Sequence, residues 1–161
     1  SQTITITSKD SNGNTATGYT GSKTLTFSGA NNAPDGTQPT VGGTDFGSGT
    51  NVTFSNGVAT ASLVLYKVET ATVSASDGAI NSGANTLSVT VSVAAASTAS
   101  TVSAGATTLT PGGTTTVTVT VKDAYGNVRT GATTSEFAAS VTTSSYTNSN
   151  AGTLGSFSCS A

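Results

Sequence analysis

The run Asp10-Ser11-Asn12-Gly13-Asn14 sets side-chain oxygens at alternate positions, the spacing with which a loop wraps a calcium ion. Asp10, Asn12 and Asn14 are therefore candidate calcium ligands. An EF-hand loop closes with an acid at its twelfth position, and Gly21 stands there instead. The stretch also returns. Ser8-Lys9-Asp10-Ser11-Asn12-Gly13-Asn14 with Gly18 is echoed, at a constant offset, by Val121-Lys122-Asp123-Ala124-Tyr125-Gly126-Asn127 with Gly131. The second copy has Ala124 and Tyr125 where the first has Ser11 and Asn12, which removes an oxygen ligand and leaves the Asp, Gly and Asn in place. What the copies share is turn chemistry: an Asp that accepts amides of its own backbone and a Gly free to take positive φ. The motif thus reads as a strand-ending turn built from Asp10, Gly13 and Asn14, and again from Asp123, Gly126 and Asn127, with no cofactor required.

Other reactive constellations are hard to assemble. The chain of 161 residues has no His and one Cys, so neither a Ser-His-Asp or Cys-His nucleophile nor a His/Cys zinc site can be built within it. A carboxylate pair for glycoside hydrolysis would have to come from Asp35, Asp45, Glu69, Asp77 or Glu136, none of which stands in a recognisable setting. The chain does not read as an enzyme. Cys159 shares one face of a short apolar stretch with Phe157 and reads as a small core residue. Asn51-Val52-Thr53 fits the N-glycosylation sequon, a match that chance supplies easily in so Thr-rich a chain.

Composition narrows the partners. Only 7% of residues are charged, the net charge is -2, and no basic run exists, which argues against nucleic acid or an anionic membrane surface. No apolar stretch approaches the ~20 residues a membrane helix needs. Ser1 does not open a signal peptide, so a secreted precursor would already have been trimmed. Scarce Cys and Lys with abundant Thr, Ser, Asn and Gly suit a bacterial or archaeal surface protein, and the expected location is extracellular.

The elements that must position the turns are strands. Val, Ile and Thr alternate over many short segments, the pattern of a thin-cored, Thr-clad β protein. Residues 2–9 form a strand with Ile4 and Ile6 inward, and residues 23–28 a second with Leu25 and Phe27 inward. Residues 29–49, rich in Gly, Asn, Asp and Pro, read as a long loop without a pattern of its own. Strands resume at 52–54, turn tightly at Ser55-Asn56-Gly57 and continue over 58–65, with Ala59, Ala61, Leu63 and Leu65 on one face. Residues 68–76 (Ala71, Val73 and Ala75 inward) and 87–93 (Leu87, Val89, Val91 and Val93) follow. After a small-residue linker at 94–103, an opening strand at 106–109, a turn at Pro111-Gly112-Gly113 and a strand at 114–122 begin a second module, with another strand expected over 136–143. Short strands with turn signals every ten residues or so are a sandwich signature.

These residues resemble bacterial immunoglobulin-like modules of invasin and intimin-type surface proteins. The resemblance rests on Val117-Thr118-Val119-Thr120-Val121-Lys122-Asp123-Ala124-Tyr125-Gly126-Asn127, on Asn56-Gly57-Val58-Ala59-Thr60-Ala61-Ser62-Leu63 and on Ala71-Thr72-Val73-Ser74-Ala75. It implies an all-β fold of tandem immunoglobulin-like sandwiches: residues 1–93 a module lacking its first strand, 94–103 a linker, and 104–161 the first half of a second module. It implies a structural part in a surface array, stalk, S-layer-like coat or filament, whose partners are copies of itself or neighbouring modules. Two alternatives remain. One is an adhesin that binds a cell-surface glycan or a protein of a host or neighbouring cell through the 29–49 loop, with Phe46, Tyr19 and Tyr66 as the recognition residues. The other is a filament subunit that polymerises by strand donation, since open sheet edges are templates for pairing. Such modules sometimes carry a Lys–Asn/Asp isopeptide bond promoted by a buried acid, for which Lys9 or Lys122 with Glu69 or Glu136 have the residue types. Each Lys stands beside Asp10 or Asp123, where an ordinary solvated pair is expected. Calcium held between modules by Asp10, Asp77 or Asp123 would find few further ligands among seven acids.

Overall fold

The computed structural model describes residues 1–132. The strand expected over 136–143, and with it Glu136, Phe157 and Cys159, lies outside the described residues. Ten strands and no helix make up the described part: β1 Gln2–Thr7, β2 Gly21–Ser28, β3 Thr40–Val41, β4 Thr44–Asp45, β5 Gly49–Phe54, β6 Val58–Val64, β7 Thr70–Ser76, β8 Leu87–Thr90, β9 Thr101–Ala104 and β10 Val117–Thr120. They pair antiparallel into one sheet ordered β1-β6-β3-β4, a second ordered β5-β2-β7-β8, and a two-stranded ribbon β10-β9.

Alternation puts one face of each long strand inside. Leu25 and Phe27 of β2, Thr50, Val52 and Phe54 of β5, Ala59 and Leu63 of β6, and Ala71 and Val73 of β7 are buried, while the Thr and Ser between them face out. Ile4 joins them from β1 and Val41 from β3, so the two four-stranded sheets share one core in a β-sandwich arrangement. Full burial of side chains the size of Phe27 and Leu63 contributes about 1.5–3 kcal/mol each. Thr-rich outer faces keep β propensity while leaving the sheet surfaces solvated.

Three expectations are corrected. Residues 29–49 are not a patternless loop. They hold the β3–β4 hairpin, whose turn residues Gly42 and Gly43 both take positive φ (58° and 81°), and they bury Val41, Pro39 and Ala33. A strand of two residues is too short to display alternation, so composition dominated the sequence signal. The strand expected over 87–93 ends at Thr90, with Leu87 41% exposed, because β8 is an edge with a partner on one side only. The opening strand expected at 106–109 is instead β9, at the end of the 94–103 span. Its ladder with β10 closes where Gly105 N–H donates to Thr116 C=O (2.9 Å), and the Thr115 hydroxyl then takes the Ala106 N–H (2.7 Å).

The Asn56-Gly57 turn forms as its composition demands, with φ of 48° and 80° and a bridge between Ser55 and Val58. Beyond that single bridge its arms part. β5 pairs with β2 and β6 with β1, so the turn carries the chain from one sheet to the other.

Candidate functional site

The two copies of the motif fold alike. In the first, Asp10 Oδ1 accepts the N–H of Asn12 and of Asn14 (both 2.9 Å), and Asn14 Nδ2 donates to Asp10 Oδ2 (3.3 Å). In the second, Asp123 Oδ1 accepts the N–H of Tyr125 and of Asn127 (both 3.0 Å), and Asn127 Nδ2 donates to Asp123 Oδ2 (2.9 Å). Backbone closes each ring in the same way, from Asp10 N–H to Asn14 C=O (2.9 Å) and from Asp123 N–H to Asn127 C=O (3.0 Å). Even the flanking bridges match, Lys9 with Thr15 and Lys122 with Val128. The carboxylate oxygens that resembled calcium ligands are thus aimed at amides of their own turn.

Surroundings separate the copies. Asp10 and Asn14 are exposed, whereas Asp123 and Asn127 are only 2% and 3% exposed. The second turn is docked on the connection between β6 and β7. Asn127 Oδ1 accepts the Val68 N–H (2.9 Å) and Asn127 Nδ2 donates to the Tyr66 C=O (2.8 Å). One carboxamide therefore meets an acceptor and a donor two residues apart, as a neighbouring strand would. The Tyr125 ring lies 4.8 Å from that of Tyr66, and Tyr125 C=O accepts the Asp35 N–H (3.2 Å). Gly126 passes Pro34 so closely that a Cβ would approach the proline Cβ at 3.3 Å, at φ +81°. Behind the turn, Asp123 Oδ2 accepts the Ala94 N–H (3.4 Å) and Lys122 C=O the Ser97 N–H (2.8 Å).

Burial alone pushes the Asp123 carboxyl toward its neutral form, and it is the largest single influence. Together the side chain and backbone of Asn127 and the amides of Tyr125 and Ala94 outweigh it and hold the carboxyl below the ordinary Asp range. Asp10 is also lowered, chiefly by the Asn14 amide. A buried carboxylate with this many donors is an anchor whose acceptor sites are occupied.

Of the other singled-out residues, Tyr66, Asp35 and Lys122 form part of this junction. Tyr19 packs edge-on against Phe54 (4.8 Å, 84°) and donates its hydroxyl to Asp77 Oδ2 (2.6 Å). Burial first, then that carboxylate, push the phenol up to about 12. Phe46 lies on Phe27, ring centres 6.2 Å apart. Asp77 also caps Ala79 and Ile80, and Asp35 caps Thr37. Glu69 binds the Asn31 amides (2.8 and 2.7 Å) and Lys67 (3.3 Å). Asn51 Oδ1, in β5, accepts the Thr24 hydroxyl (2.8 Å). Among the described residues no three His, Cys, Asp or Glu side chains gather as a metal ion would need, and no helix is long and apolar enough to cross a membrane. Sequence reasoning missed Val68 and Pro34 as partners of the second turn; the only local sign was Tyr125, the aromatic by which that copy departs from the first.

Comparison of the chain with protein families, with curated proteins and with solved structures finds no match in any of the three.

Proposed function

We propose that the chain is a non-enzymatic structural module of an extracellular surface array, such as a stalk, an S-layer-like coat or a filament, built from successive immunoglobulin-like modules. The observation that carries this reading is the buried turn of Asp123 and Asn127 against Tyr66 and Val68. It ties the second copy of the motif to the first sandwich by hydrogen bonds and a ring contact instead of leaving it on a free linker. A repeat whose turn docks on the preceding sandwich sets the angle between units, and strand ladders within each unit resist extension. Surface composition agrees, because low charge and small side chains let neighbouring units pack closely.

The adhesin reading has less support. Tyr19, Phe46 and Tyr66 each pack on another ring, Phe54, Phe27 and Tyr125, instead of lining up on one face as carbohydrate recognition uses aromatics. The strand-donation reading is favoured by one further feature, an open groove along β1. Intact mass and electron microscopy of the native protein test the proposal. Long repeat-bearing chains or ordered fibres are expected, whereas isolated monomers that bind a glycan array through residues 29–49 would sink it.

A further inference from the structure

Among the described residues each four-stranded sheet ends in two edge strands, β1 and β4 in one and β5 and β8 in the other. The chain crosses from β4 to β5 and back through the Asn56-Gly57 turn into β6, the neighbour of β1. The edges β1 and β8 lie on either side of one opening between the sheets. Between them runs a groove of about 710 Å³ whose walls include Ile4, Ile6, Leu25, Phe27, Val73 and Leu87. Ile80, also on its wall, is 50% exposed, so the groove has an uncovered apolar rim.

The backbone of β1 is half used. Ser8 N–H donates to Gly57 C=O (2.8 Å), which fixes the parity of the ladder: Gln2, Ile4 and Ile6 turn their backbone groups toward β6. Thr3, Thr5 and Thr7 turn theirs to the open side, where no described strand pairs with them.

The repeat supplies a template for what belongs there. β10 stands at the offset of β1, with Val117 and Val119 in the places of Ile4 and Ile6. It pairs with β9 through Val117↔Ala104, Thr118↔Ser103, Val119↔Val102 and Thr120↔Thr101. Since Gly105 N–H donates to Thr116 C=O, the groups turned toward β9 belong to Thr116, Thr118 and Thr120, the counterparts of Thr3, Thr5 and Thr7. β9 thus lies along the very edge that β1 leaves bare. In the same register on β1, Val102 and Ala104 share the face of Ile6 and Ile4 and enter the groove, while Thr101 and Ser103 face out.

We infer that the groove along β1 receives the β9 segment of a second copy of this chain, antiparallel, with Ile4 opposite Ala104, Thr5 opposite Ser103, Ile6 opposite Val102 and Thr7 opposite Thr101. β9 can serve as donor by exchanging its one ladder, with β10, for the like ladder with β1. All its residues are exposed, Val102 by 71%, and a two-stranded ribbon is marginal in water. Moving β9 into the groove buries Val102 and completes the β1 ladder, an exchange of a like element between copies. The inference rests on the array reading only for the source of the strand; the groove and register stand on geometry alone.

The test has two arms. First, the ¹⁵N-labelled full chain is titrated with a synthetic peptide of residues 99–106. Exchange of the Thr3, Thr5 and Thr7 amides should slow roughly tenfold or more, while a peptide carrying Val102→Lys leaves them unchanged. No effect on those amides, or equal binding of both peptides, overturns the groove. Second, sedimentation of the full chain at rising concentration should reveal dimers or longer chains that Thr5→Pro abolishes. The Thr5 N–H faces the groove and not β6, so proline is compatible with the fold at this edge, and an unchanged amide spectrum of β2, β5 and β7 verifies it. Peptide binding by a chain that stays monomeric at millimolar concentration overturns the second copy as donor and leaves the array reading to be judged by microscopy alone.

Discussion

Asn127 and Asn14 carry the same side chain in the same turn, yet truncating them has very different consequences. Asn127→Ala strips partners from the buried Asp123 carboxylate and from the part-buried Val68 N–H and Tyr66 C=O. A buried polar group left unpaired costs about 1–3 kcal/mol, so urea unfolding of Asn127→Ala should lose about 2 kcal/mol. Asn14→Ala, whose partner Asp10 is solvated, should shift the midpoint little. The pH dependence follows from the lowered Asp123 carboxyl. Its folded value lies below the unfolded one of about 3.9, so its contribution is fully present above that value and is lost as pH falls through the folded value. Stability measured from pH 7 downward should therefore hold to about pH 5 and then decline. Asp10, Asp77 and Glu69 are lowered too, so the difference between the native chain and Asp123→Asn isolates this one group. A third case runs the other way. Thr50 is 4% exposed and its hydroxyl has no hydrogen-bond partner among the described residues, so Thr50→Val, nearly the same shape, should raise the unfolding free energy by about 1 kcal/mol.

At the scale of elements, legibility tracked strand length and depth. β2, β6 and β7 have seven or eight residues' worth of alternation, and it marks Leu25, Phe27, Ala59, Leu63, Ala71 and Val73 as inward positions from the sequence. β3 and β4 offer two residues each, and nothing in Thr40-Val41 distinguishes a strand from a loop. Only Gly42-Gly43, a pair suited to a two-residue hairpin, hinted at it. Sheet membership was not legible at all, because the Asn56-Gly57 turn specifies a reversal and not which neighbours its arms will choose. Val41 is fully buried against both sheets, so Val41→Ala should cost about 2 kcal/mol by chemical denaturation, where a true surface loop would tolerate the change. Gly29 makes a sharper companion. At φ +95° any side chain is strained, and a Cβ there would run into the Thr72 carbonyl oxygen, so Gly29→Ala should destabilise by about 3 kcal/mol or more.

For the whole molecule the repeat was legible and its docking was not. Five residues at a common offset disclosed that one turn is built twice, but the surface that buries the second copy lies some sixty positions away, at Tyr66 and Val68. Contacts of that separation leave no local periodicity to read. Coupling between the copies can be measured amide by amide. Val68 N–H is held by Asn127 Oδ1 and Asp35 N–H by Tyr125 C=O, two bonds from different parts of the sandwich to one turn. If the turn undocks as a unit, both amides exchange through the same opening and have the same opening free energy. Asn127→Ala should then accelerate both together, roughly thirtyfold for a loss near 2 kcal/mol, while the Gly42 amide, held by the Ser62 C=O within the sandwich, keeps its rate. Acceleration at Val68 without Asp35 would mean that the carboxamide holds one strand end and not a module, and the stiffness that a surface array requires would have to come from elsewhere.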